Sequence, residues 1–203
     1  MKRILTTLLF VYASVSHAQE TTPQKDIWFG NDFQIALGVN NILPNNSMMG
    51  DAHKLGFPKI SMRIGIFHAH QWTLGITGSL NQSKVKDPQF FGDFDKTIYR
   101  EIGPYVSYYK SITENDALEA YASYDYVHYT ATGNDKKMTF ESNGLGLALD
   151  WHNKISNRAY MTIGFKYSIN KLNTKTHPNW EKYLNNYNYA SVKVGFTFAK
   201  YRK

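Results

Sequence analysis

The 203-residue sequence contains no cysteine. Disulfides are excluded, and so is a lipid-anchor cysteine behind an export signal, so stability has to come from packing or from lipid. A membrane-spanning helix needs about 20 apolar residues; the longest apolar stretch, Ile4 to Val15, falls short of that. No run of like charge is longer than Lys136-Lys137, which speaks against nucleic acid as a partner. Phosphate loops, dinucleotide fingerprints and metal-protease spacings are also missing, so neither a cofactor nor a metal is expected.

Several features are present instead. Lys2 and Arg3, the apolar Ile4–Val15 and the small-x-small sequence Ser16-His17-Ala18 read as a cleaved export signal over 1–18. Removing Lys2 and Arg3 takes the formal charge from +7 to +5, a mild and dispersed excess that suits anionic surfaces such as lipid headgroups. Fifteen tyrosines, twelve phenylalanines and four tryptophans suit strands and membrane interfaces.

In "GLGLALDW" (144–151), Leu145, Leu147, Leu149 and Trp151 alternate with Gly144, Gly146, Ala148 and Asp150. Strict alternation is a strand signal. The same pattern appears over 27–39, 59–67, 71–80, 97–109, 118–128, 139–151, 161–169 and 191–198. That makes eight segments of roughly the length needed to cross a bilayer at a tilt. Only 178–184 offers a helical spacing, through Trp180, Tyr183 and Leu184. The connectors run long (40–58), short, long (81–96), short, long (129–138), short, long (170–187), the rhythm of an up-and-down barrel with two unlike rims. The polar face is mostly Gly, Ala, Ser and Thr, which suits the cramped lumen of eight strands. A soluble lipocalin-like carrier would instead carry long charged side chains outside. The expectation is an all-β, eight-stranded antiparallel transmembrane barrel over 19–203, with the apolar face toward lipid.

With the signal, the eight strands and "IGPYVSYYKSI" (102–112), the chain resembles the small outer-membrane β-barrel proteins of Gram-negative bacteria, those like outer-membrane proteins A and X. Phe196 and Phe198 match the aromatic end of such barrels, and "AKYRK" follows them. The resemblance implies residence in the outer membrane, termini in the periplasm, four loops outside, a monomer, and lipid and lipopolysaccharide as surroundings.

Parity places Asp32, Glu101, Glu119, Asp125 and Asp150 in the lumen with Arg63, Lys166 and Lys193. Confined charges must be paired. Strand 8 closes on strand 1, so Lys193 is expected near Asp32. A salt-bridged plug and an ion path are the two readings. Trp72, Tyr108 and Trp151 near the short-turn rim read as an interfacial girdle. His68, His70 and His152 read as exposed turn residues rather than a zinc site.

Some barrels of the resembled family act on lipid A through Ser, His and an acid. Here Ser123 and Asp125 fall on the opposite face from His128, which argues against such a triad. Lys54, Lys84, Lys86, Lys96, Lys136, Lys137, Lys171, Lys175, Lys182 and Arg100 sit in or near the long connectors. They would meet lipopolysaccharide phosphates or a host surface, or else are ordinary solvated charges. "QFFGDF" (89–94) reads as a cap over the mouth. The functional expectation is a non-enzymatic structural or surface-interaction protein, with a lipid A-modifying enzyme and a soluble carrier as alternatives.

Overall fold

The computed structural model describes residues 27–44, 47–88, 91–133, 135–174 and 178–199. The expected signal over 1–18 and the tail from 200 lie outside them. The strands are β1 (Ile27–Ile42), β2 (Gly56–Ala69), β3 (Trp72–Lys84), β4 (Lys96–Ser111), β5 (Asp116–Gly133), β6 (Lys136–Ser156), β7 (Ala159–Leu172) and β8 (Asn186–Phe198), with helices α1 (Met48–Ala52) and α2 (Pro178–Asn185). Each strand pairs antiparallel with the next, and β8 closes on β1. Closure leaves no strand edge, the condition for placing backbone polar groups in lipid.

The alternation resolves in favour of an apolar exterior. Leu145, Leu147 and Leu149 are 62%, 64% and 49% exposed, while Gly144, Gly146 and Asp150 are buried. The outward residues of every strand repeat this, from Ile35 and Leu37 on β1 to Phe196 and Phe198 on β8. A soluble carrier would have the opposite polarity. On β4 the outward positions run Arg100, Ile102, Pro104, Val106, Tyr108, Lys110. At about 3.3 Å per residue and a tilt near 40°, the apolar stretch between the two cations stands about 25 Å tall, a bilayer's hydrocarbon band.

The conventional apolar core sits above this band, at the mouth. Met49, Ala52, Val85, Phe91, Phe94, Tyr99, Tyr129 and Leu172 cluster there beneath the loops. Phe91 and Phe94, from the expected cap segment, are in it.

Three expectations need correction. The connector 129–138 is strand rather than loop: the hairpin continues until Gly133 pairs with Lys136. Thr130, Thr132 and Thr139 sustain the ladder there, and Tyr129 stacks on Phe140 at 4.7 Å. Helix α1 was not foreseen, because five residues are too few to show a period; its cap is Ser47, whose Oγ accepts from the Gly50 amide at 3.2 Å. Asp32 and Lys193 do not meet. Phe33 opposite Phe198 is the last β1–β8 pair, so Asp32 lies beyond the end of β8, and Lys193 stands opposite Gly38. Strand stagger in a closed barrel separates inward residues of adjacent strands in height.

Candidate functional site: the lumen and the outer wall

Two charge clusters fill the lumen, each with two cations and two carboxylates. In the one nearer the mouth, Lys166 Nζ donates to Asp125 Oδ2 at 2.7 Å and also to Glu101. Tyr189 donates its hydroxyl to Glu101 at 2.5 Å, and Ser123 Oγ donates to Asp125 at 2.9 Å. The second cation is Lys59, bonded to Ser191 Oγ at 3.3 Å and lying 5.0 Å from the Tyr189 ring.

In the cluster nearer the short-turn rim, Arg63 Nη2 lies 2.5 Å from Glu119 and 3.4 Å from Asp150. Lys193 donates to Asp150 at 2.9 Å and to Gln34 Oε1 at 2.8 Å. The Arg63 guanidinium lies over the Tyr121 ring at 4.6 Å and the Tyr105 ring at 5.1 Å.

A ring of polar contacts runs round this lower cluster. A carboxylate only accepts, so His152 Nε2 carries the proton toward Glu119 at 2.9 Å. Its Nδ1 then accepts from Thr162 at 2.9 Å. Thr162 accepts from Thr197 at 2.8 Å, and Thr197 accepts from Gln34 Nε2 at 3.0 Å. Glu119, Asp150 and His152 bring donor atoms within 4.8 Å of one another. Arg63, however, already serves as the cation between the two carboxylates. Between the clusters the free space amounts to about 20 Å³, lined by Lys59, Arg63, Glu101, Tyr121 and Lys166 among others. That is room for about one water molecule.

The histidine reading is corrected. His68 and His152 are buried strand residues rather than turn residues: His152 is an inward position of β6, and His68 is turned inward by the register shift between Gly65 and Phe67 on β2; of the three histidines only His70 is exposed. His68 Nδ1 lies 3.0 Å from Thr73 Oγ1 and 3.9 Å from Asp32. Lys59 and Tyr189 escaped the sequence reading, although Lys59 is two and four residues before the inward-facing Ser61 and Arg63; Gln34 shares the polar face of Asp32 in the sequence pattern but was not expected in the charge network.

On the outer wall, Trp72 and Tyr108 are register partners whose rings meet edge-on at 5.1 Å. Trp151 faces outward on β6 opposite Leu118. All three lie at the short-turn end. At the other end, Arg100, His128 and Glu141 form one row across β4, β5 and β6, with His128 Nδ1 3.9 Å from Glu141. Ser123 and Asp125 point into the lumen. The neighbouring hydroxyl on the His128 face, Thr130, accepts from Arg100 at 3.1 Å.

At the mouth, outside the membrane band, His53 is buried between Phe91 and Tyr99. Its Nδ1 donates to the Met49 carbonyl at 2.8 Å and its Nε2 accepts from Thr97 at 2.8 Å. Burial holds its pKa down to about 4, with Lys86 adding to the effect and the Met49 bond opposing it. The unfolded segment, near 6.5, therefore binds more protons than the folded one as pH falls. The cap should be at full stability above pH 6.5 and lose about 3 kcal/mol on acidification to pH 4. Proteolytic protection of residues 47–53 should fall between pH 7 and 4.5 in the parent and stay flat in His53→Gln. Equal pH profiles would refute this.

This is the fold of the small eight-stranded β-barrels of the outer membrane. Two solved structures show it. Neisserial surface protein A superposes with a TM-score of 0.61 at 15% identity, covering 85% of this chain and 97% of that one. The outer membrane protein OprG from Pseudomonas aeruginosa gives 0.50 at 12% identity, covering 84% and 96%. The sequence matches no family model and no curated protein.

Proposed function

We propose that this protein is a non-enzymatic, monomeric barrel of the outer membrane. Its lumen is a salt-bridged plug, and its outer surface, through loops and rim, contacts lipopolysaccharide or a partner. The observation that carries this reading is the pair of charge-balanced clusters that leave room for about one water. Paired lumen charges in so small a barrel hold the wall together and oppose ion flow. The likeness in fold to outer-membrane barrels supports the location, as does the 25 Å apolar band. The hydrolase alternative is weakened because Ser123 and Asp125 are buried in the lumen, on the face opposite His128.

Planar-bilayer recording on the refolded full chain tests the plug. The expected trace stays at background, without unit steps. Discrete, reproducible steps would replace the plug with a pore. Mass spectra of lipid A from cells with and without the protein should be identical; a shifted acyl pattern would restore the enzyme.

A further inference from the structure

We infer that the outward face of the β3–β6 wall binds a multiply phosphorylated lipid headgroup of the outer leaflet, through Lys84, Lys96, Lys137 and Arg100. This inference rests on the outer-membrane reading above and deepens it by naming the site. Lys84 and Lys96 are direct register partners. Lys96 is the partner of Thr132, and Thr132 of Lys137. The three lysines are exposed and share the outward face of four adjacent strands. At about 4.8 Å per strand spacing, the row spans about 15 Å.

Like charges directly opposed across a sheet repel and destabilise the pair. A protein can offset this with carboxylates, but here it does not. Among the described residues none of these four cations has a carboxylate in ion-pair range. Of the nearby acids, Asp93 lies 3.3 Å from Lys136 and Glu141 3.9 Å from His128, and the exposed Asp95 and Asp135 form no ion pair with the four cations among the described residues. An external anion is the remaining way to relieve the repulsion.

Position indicates which anion. Arg100 stands four residues membrane-ward of Lys96, and below it begins the apolar run of Ile102, Pro104 and Val106. The cations thus mark the upper edge of the hydrocarbon band, where headgroup phosphates of the outer leaflet lie. Leu80 and Ile102, 46% and 57% exposed, offer acyl chains a wall beneath them. Arginine adds planar, two-point recognition of phosphate oxygens.

The cations are not a generic rim feature. On the opposite wall the matching outward positions are Asn186 and Asn188 on β8, Asn41 on β1 and Pro58 on β2, and Lys171 of β7 is paired with Glu181 at 2.9 Å. Among the described strand positions at this end, the outward cations without an ion pair lie on β3, β4 and β6, while Lys54 and Lys182 belong to connectors.

The test uses the full chain refolded in neutral detergent, with bisphosphorylated lipid A and its fully dephosphorylated form as probes. The parent should bind the bisphosphorylated lipid at least 10-fold more tightly. The variant Lys84→Gln/Lys96→Gln/Lys137→Gln should lose at least 10-fold toward that lipid only. Lys171→Gln/Lys182→Gln should bind like the parent. Equal affinity for the two lipids, or a triple variant that binds like the parent, would overturn the site. The gel shift on boiling verifies that each variant is a folded barrel. Conductance of the same samples reads the plug separately, so either reading can fail alone.

Discussion

Lys166→Met should cost the barrel about 3–5 kcal/mol of unfolding free energy, the usual penalty for removing one partner of a buried ion pair. Lys166 is the donor that serves both Glu101 and Asp125, and all three side chains are nearly excluded from solvent. Methionine fits the same tube but leaves two carboxylates facing Lys59 alone. A second change discriminates charge from shape. Adding Asp125→Asn returns the cluster to one cation and one carboxylate, so the double variant should recover more than half the loss. A cycle of this kind isolates the coupling between neighbours. Urea titrations of the folded barrel, read by tryptophan fluorescence and by the gel shift on boiling, would supply the numbers. A loss below about 1 kcal/mol, or no recovery in the double variant, would mean that water screens the lumen and that the charges are not a plug.

That the clusters exist was legible only in part from the sequence. Parity is enough to put Glu101, Asp125 and Lys166 inside, because a strand alternates strictly and a one-residue slip would expose the whole set. Partner choice needs register, and register needs the turn. Along the β5–β6 hairpin each pair of partners adds to 269, from Gly133 with Lys136 down to Glu119 with Asp150. Reading 129–138 as an open loop hid that sum, and with it the approach of His128 to Glu141. The closure pair is harder. No short turn joins β8 to β1, so the stagger that parts Asp32 from Lys193 is a property of the whole ring. His152 was misread for a simpler reason: β6 runs to Ser156, so a residue assigned to the turn is in fact an inward strand position.

A lumen-facing glycine gives the second large effect. Gly164 lies directly opposite Asp150 in the β6–β7 register. A Cβ built there would stand 2.2 Å from Asp150 Oδ1 and 2.5 Å from Lys193 Cε. Valine at this position must therefore push the carboxylate away from Lys193, Gln34 and Arg63, the three partners it holds. Leaving buried charged groups unpaired and overpacking the lumen both act in the same direction, for a combined loss of about 3 kcal/mol or more. Gly78 supplies the contrast. It sits on the lipid-facing side of β3, where the nearest atom to a Cβ is the Glu101 carbonyl oxygen at 3.3 Å. Gly78→Val asks that neighbour to give only slightly and adds a β-branched side chain to a strand, a change that propensity favours. It should fall within about 1 kcal/mol of the parent in the same urea titration. The two variants make the same substitution on the inner face of β7 and on the outer face of β3. Equal costs would mean that the lumen yields as easily as lipid does, and the glycines would then have no part in making room for the charge clusters.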